Sequence, residues 1–190
     1  LYGIPVRSKS NSFSLINADQ AYEKRALVND GIGTNYGLEI TFDKSFSKNY
    51  YVLVTGSFYN SIYQGSDNIW RNTKYNGNYI TSVTAGKDFR VGKKGKNVIG
   101  VNLKFFFAGG RRFTPINLEE SIEAGEEVRD DSRKFEARVD DYLRLDARLR
   151  FKHNLKRVAW EVSVDIQNVT NRKNEINRKY NPASESIVKR

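Results

Sequence analysis

The run Tyr142-Leu143-Arg144-Leu145-Asp146-Ala147-Arg148-Leu149-Arg150-Phe151-Lys152 constrains this chain more than any other segment. Apolar and polar residues alternate through it without a break. Side chains of a strand swap faces at every residue, so Leu143, Leu145, Ala147, Leu149 and Phe151 share one face. Arg144, Asp146, Arg148, Arg150 and Lys152 share the other. Strands of soluble sandwiches usually run about 5–6 residues, whereas a tilted strand crossing a bilayer needs about 9–11. One face of hydrocarbon backed by one face of charge suits a wall with lipid on one side and water on the other.

Five further segments repeat the theme. Tyr36, Leu38, Ile40 and Phe42 oppose Gly37, Glu39 and Thr41. Between Tyr50 and Asn60, Val52, Val54 and Phe58 oppose Tyr51, Thr55, Ser57 and Tyr59, with Leu53 out of pattern. Tyr79 to Phe89 alternates more weakly. Asn97 to Phe107 sets Ile99, Val101, Leu103, Phe105 and Phe107 against Gly100, Asn102 and Lys104. Val158 to Asn168 sets Trp160, Val162, Val164 and Ile166 against Glu161, Ser163, Asp165 and Gln167. Consecutive strands of this period predict an all-β chain, an antiparallel up-and-down meander. The connections alternate in length. Asp43–Asn49, Arg90–Lys96 and His153–Lys156 are short; Ser61–Asn78 and Gly109 to about Asp140 are long. Short turns at one end and long loops at the other form the outer-membrane barrel pattern, with the long loops outside the cell.

Composition agrees. The apolar fraction is 38%, below the soluble average of about 45–50%, yet aromatics reach 13%. Half-polar strands with aromatic girdles would give that balance. No stretch approaches the roughly 18 apolar residues of a membrane helix. There is no Cys, hence no disulfide framework and no Cys metal site. The 190 residues suffice for one domain. A start at Leu1, without Met or a signal pattern, is read as processing or as a piece of something longer. The net charge of +10 raises the question of an anionic partner. Lys and Arg are scattered, however, with no basic helix and no nucleic-acid motif, so no nucleic-acid partner is expected.

The last hairpin permits a register estimate. If Lys152 pairs with Arg157, Arg148 faces Glu161 and Arg144 faces Asp165, placing opposite charges across the ladder. Within the second long link, Asn117 to Gly125 reads as a short helix with Asn117 as cap, acidic first turn and terminal glycine. Its carboxylates Glu119, Glu120 and Glu123, with Glu126 and Glu127, lack the spacing of a calcium loop. His153 is the one histidine and is expected in a turn, so neither a His triad nor a multi-histidine metal site is available. Gly92-Lys93-Lys94-Gly95-Lys96 does not have phosphate-loop spacing. Glu161 and Asp165 face arginines, which accounts for them without acid–base chemistry. No enzymatic activity, cofactor or metal is expected.

Three segments in order resemble the C-terminal barrel of TonB-dependent outer-membrane receptors, particularly those of Bacteroidetes. They are Ala108-Gly109-Gly110-Arg111-Arg112-Phe113-Thr114-Pro115-Ile116-Asn117-Leu118, then Asp141 to Arg148, then Trp160 to Arg172. Asn35-Tyr36-Gly37-Leu38-Glu39 and Leu53-Val54-Thr55-Gly56-Ser57 resemble strand openings of the same family. The resemblance covers about residues 30 to 180. It implies a transmembrane barrel of about 22 strands with a plugged lumen, of which this chain supplies about six. It further implies import of a scarce nutrient, a metal chelate, cobalamin or glycan, driven by TonB through an upstream plug. The chain has no plug domain or TonB-contacting segment. It stops at Ser186-Ile187-Val188-Lys189-Arg190, where the family continues into a closing strand. Residues 1–190 are therefore expected to be a fragment of a single barrel domain, incompetent for transport alone.

On that reading Arg144, Asp146, Arg148, Arg150, Glu161 and Asp165 face the lumen, while Leu143, Leu145, Leu149, Phe151, Trp160, Val162, Val164 and Ile166 face outer-membrane lipid. Trp70, Arg71, Tyr75, Arg111 and Arg112, on the long links, are the candidates for contact with a small-molecule nutrient: aromatic rings would stack on a glycan and guanidinium groups would hold an anionic chelate. The alternatives are another outer-membrane barrel, such as a porin or adhesin, and a soluble β-rich carbohydrate-binding module.

Overall fold

A computed structural model describes residues 6–9, 11–18, 24, 26–92 and 95–190. Among them the chain forms β1 (Arg7–Ser8), β2 (Leu27–Val28), β3 (Ile32–Ser47), β4 (Tyr50–Gln64), β5 (Trp70–Asn72) and β6 (Tyr79–Val91). Then follow β7 (Asn97–Ala108), β8 (Arg112–Phe113), helix α1 (Leu118–Ala124), β9 (Ala137–Arg138), β10 (Tyr142–Asn154), β11 (Ala159–Ile166), β12 (Arg178–Asn181) and β13 (Ser186–Lys189). The chain is all-β, and its sheets are antiparallel. Every segment expected to be a long strand is one. The six long strands pair in the order β11-β10-β7-β6-β4-β3, a meander, and β5 pairs with β4.

The period of two explains the sheet. Its ladder aligns Phe42, Val54, Val83, Phe105 and Leu145 on one face, and Leu149 lies between Val101 and Val164. The other face aligns Thr55 with Ser82, Lys104 with Asp146, and Arg148 with Asn102. Apolar rows side by side on one face gain cross-strand contact, while charges collect on the other.

The turns correct several expected boundaries. β3 runs on to Ser47, so the first connection is only Lys48-Asn49, both residues having positive φ (52° and 65°). That is the two-residue hairpin geometry that matches strand twist. A bulge between Lys44 and Ser47 inserts one extra β3 residue against β4, which reverses the side-chain alternation beyond it. The second turn carries Gly92 and Gly95 at positive φ; Lys93 and Lys94 lie outside the described residues.

In the last hairpin the expected register is wrong by four residues. Arg148 faces Asp165, Lys152 faces Glu161 and Asn154 faces Ala159. The turn is Leu155–Val158, closed by the Leu155 N–H to the Val158 carbonyl at 2.8 Å, and not His153–Lys156. His153 lies in β10, hydrogen-bonded to Asn97. A shift of four keeps each side chain on its own face and still opposes unlike charges. It also brings Trp160 to 5.4 Å from Phe151 and 5.7 Å from His153, ring centre to ring centre, and leaves Lys156 and Arg157 at the wet tip.

β11 ends at Ile166, not Asn168. The chain that leaves it completes the ladder of β10 in its own way. The Val169 N–H reaches the Leu145 carbonyl at 2.7 Å, and the Asn174 amide both accepts from Leu143 N and donates to Leu143 O, each at 2.9 Å.

The long links carry structure of their own. β4 continues to Gln64 and β5 folds back on it. The second link contains β8, α1 and β9. The helix is the one expected: the Asn117 side chain accepts from Glu120 N, and Gly125 closes it in the left-handed region. β12 and β13 form a hairpin packed on that link, with Glu127 accepting from Tyr180 N at 3.0 Å. Among the described residues the buried apolar side chains are Phe13, Tyr63, Val139 and Tyr180. None of them covers the large sheet. Leu38 (60% exposed), Leu149 (56%) and Val164 (57%) stand open on its apolar face.

Candidate functional site

The polar face of the sheet forms a trough of about 830 Å³. It extends from Phe46 on one edge strand to Asp165 on the other, past Tyr51, Asp88, Lys104 and Arg150. A trough shared by both edges requires the sheet to curl around this face. The concave side is charged and the convex side apolar. The β3 bulge places Phe46 at the rim of the trough.

Ion pairs run over the floor, between β10 and β11, across β7 and along β10. Arg150 spans three strands: it donates to both Asp88 oxygens at 2.7 and 2.9 Å and approaches Glu161 at 3.5 Å. Arg148 pairs with Asp165, its Nη2 3.2 Å from Oδ2. Arg144 reaches Asp146 at 3.0 Å. The Tyr51 hydroxyl donates to Asn102 Oδ1 at 3.1 Å. Gly100 makes room for the Arg150–Asp88 pair. A Cβ there would stand 2.8 Å from Arg150 Nε and 2.9 Å from Asp88 Oδ1. Thus Arg144, Asp146, Arg148, Arg150, Glu161 and Asp165 share one face, as the period requires. Asp88, Tyr51 and Asn102 belong with them; the sequence placed Tyr51 and Asn102 on polar faces but named none of the three as a site residue. Their parity within Tyr79–Phe89, Tyr50–Asn60 and Asn97–Phe107 was the available signal.

The five candidates on the long links lie at the end of the sheet opposite the short turns, but not in one pocket. Arg71 is buried and grips Asp67 through both terminal nitrogens, at 2.9 and 2.7 Å. Its guanidinium holds the Asp67 carboxyl below the usual carboxylate range. Arg112 donates to the Asn76 carbonyl at 3.0 Å, the Glu136 carbonyl at 3.0 Å and Asn78 Oδ1 at 2.9 Å. Arg71 thus holds its own loop together, whereas Arg112 binds the two long links to one another. Trp70 is half-exposed beside a recess of about 190 Å³ that also touches Lys134 and Glu136. Tyr75 is more exposed and lines a separate groove of about 410 Å³ with Tyr36, Glu39, Tyr59 and Asn60. Arg111 is exposed.

The C-terminal hairpin is held by charge. Glu175 lies almost fully buried, 2.6 Å from Arg178 Nε, and accepts from the Asp140 N–H at 3.1 Å. The hydrogen bond from Arg178 lowers the carboxyl's pKa. Among the described residues no group of three or more His, Cys, Asp or Glu side chains could hold a metal ion. Among the same residues no helix is long and apolar enough to cross a membrane, which says nothing of strands that cross one.

No protein-family model, curated protein or solved structure matches this chain.

Proposed function

We propose that this chain is part of the barrel wall of a TonB-dependent receptor in the outer membrane of a Gram-negative bacterium. The receptor imports a scarce nutrient, a metal chelate, cobalamin or glycan. The observation that carries the reading is the uncovered convex face, apolar across all six long strands and backed by a charged trough. A contiguous apolar surface of this size marks contact with a membrane or a partner. Strands of 16, 15, 13, 12, 13 and 8 residues are long for a soluble sheet and mostly meet the length of a tilted crossing.

On this reading Leu143, Leu145, Leu149, Phe151, Trp160, Val162, Val164 and Ile166 face lipid. The ion-paired residues of β10 and β11 face the lumen, where pairing offsets their desolvation. The short turns point to the periplasm and the structured links point outward. Six strands form a wall segment; about 22 would close the barrel around a plug. TonB acts through that plug, and Trp70 and Tyr75 are the exposed aromatic groups placed to meet nutrient at the outer end.

The test is genetic and biochemical. One strain lacks the reading frame and a second lacks TonB. Each is grown with a single ferric chelate, cobalamin or glycan as the limiting nutrient. The same nutrient should fail to support both strains, and the protein should fractionate with the outer membrane. Recovery of the protein in the soluble fraction, or undiminished growth of the deletion strain on every nutrient that requires TonB, would sink the reading.

A further inference from the structure

The apolar face is not uniform. At its short-turn end it holds a furrow of about 460 Å³, lined by Tyr50, Val52, Ala85, Phe89, Val101 and Leu103, with Lys87 at its edge. The furrow has a simple cause. Ala85 sits in register between Val52 and Leu103, so a small side chain separates two larger ones. Lys87 is on the same face, in register between Tyr50 and Val101. Its ammonium lies 5.3 Å from the centre of the Phe89 ring. Among the described residues it has no hydrogen bond or ion pair. A lysine on an apolar face lays its stem along hydrocarbon and presents its charge at the boundary with water.

More positive charge stands nearby. Lys44 is also on this face, its ammonium 3.8 Å from the centre of the Tyr50 ring and 2.8 Å from Ser47 Oγ. Its donors are engaged, so it contributes charge and not a free contact. Lys48, Arg90, Lys96, Lys156 and Arg157 are exposed at the same end. The three turns are neighbours: the Asp88 N–H reaches the Asn49 carbonyl at 2.8 Å, and Asn154 N reaches the Lys96 carbonyl at 3.0 Å. Asp88 is already paired with Arg150 on the opposite face.

We propose that this end of the apolar face binds an anionic phospholipid, with an acyl chain along the furrow and the phosphate against Lys87. A soluble anion would leave the furrow empty. A zwitterionic lipid would fill it but would bring the basic turns no net charge. An anionic lipid satisfies both. The inference rests on the membrane reading above, because the face must meet lipid for the site to exist.

The test uses the full-length protein in vesicles of phosphatidylcholine, with a fluorescent label on Leu149→Cys. Leu149 is the partner of Val101 on β10, next to the furrow but outside it. Acyl-brominated phosphatidylglycerol and acyl-brominated phosphatidylcholine serve in turn as quenchers. Phosphatidylglycerol should reach half-maximal quenching at about fivefold lower mole fraction, the effect of roughly one basic residue near an anionic surface. Lys87→Gln should remove the preference and leave phosphatidylcholine quenching unchanged, and Lys87→Arg should restore it. Equal quenching by the two lipids would overturn the site while leaving the membrane reading intact. A preference that survives Lys87→Gln would also overturn it. Absence of quenching by either lipid would overturn the membrane reading and the site together.

Discussion

Leu149→Arg should lower the unfolding free energy of the membrane-inserted protein by about 1–2 kcal/mol, the cost of an arginine on the lipid face between the bilayer midplane and its interface. Leu149 lies near the middle of β10, between Val101 and Val164, and is more than half exposed. An arginine there has apolar neighbours on both adjacent strands and no carboxylate across the ladder. Thr41→Arg, on the polar face opposite Thr55, is the control and should change stability by less than about 0.5 kcal/mol. Denaturant titration in lipid vesicles gives both values, with the midpoint shifting at constant slope. In water the same open face would make Leu149→Arg neutral or favourable. Equal small effects at both positions would therefore contradict a lipid-facing surface.

Gly110→Val should release the long link between β7 and β10 while leaving the large sheet in place. Gly109 and Gly110 pass between two stretches of backbone. A Cβ on Gly109 would stand 1.8 Å from the Gly77 carbonyl oxygen, and one on Gly110 1.9 Å from that of Val139. The obstacle is main chain, which cannot turn aside as a side chain would. Overpacking usually costs about 1–3 kcal/mol, and this case belongs at or above the upper end. The hydrogen bonds that would break are local: Gly110 N to Asp141 Oδ1 at 3.3 Å, and Val139 N to the Arg111 carbonyl at 3.1 Å. Limited proteolysis should cut the variant within residues 111–140 at least about tenfold faster, the effect of roughly 1.4 kcal/mol on local opening, with the strand signal in circular dichroism retained. Unchanged protease resistance would show that Gly110 is not needed for close approach. This packing also explains why Arg112 follows a glycine pair: once the backbone is threaded, its guanidinium reaches Asn76, Asn78 and Glu136.

The large sheet was legible because its signal is periodic. Each long strand repeats apolar and polar residues at a spacing of two, and a face assignment survives errors in strand ends. Register was less legible. Arg148 finds an acidic partner whether it faces Glu161 or Asp165, so charge complementarity alone does not choose between them. The choice came from turn length and from Trp160 packing against Phe151 and His153, which are tertiary facts. The bulge near Phe46 left no mark in the pattern, because one inserted residue looks like ordinary sequence. β1, β2, β5, β8, β9, β12 and β13 have two to four residues each, too few to show a period. At the candidate site, parity identified the charged face but not the three-strand role of Arg150. The exposed side chains of Trp70 and Tyr75 and the engaged ones of Arg71 and Arg112 could be told apart only once the loops were folded.

The central claim is that one face of this sheet meets hydrocarbon and the other meets water. The most direct measurement places a polarity-sensitive spin label at Leu145→Cys and, separately, at Arg148→Cys in the full-length protein in its bilayer. Collision rates are then compared for oxygen, which partitions into lipid, and for a water-soluble nickel chelate. Leu145 should report high oxygen and low nickel accessibility, and Arg148 the reverse. Two positions equally accessible to nickel would contradict the account.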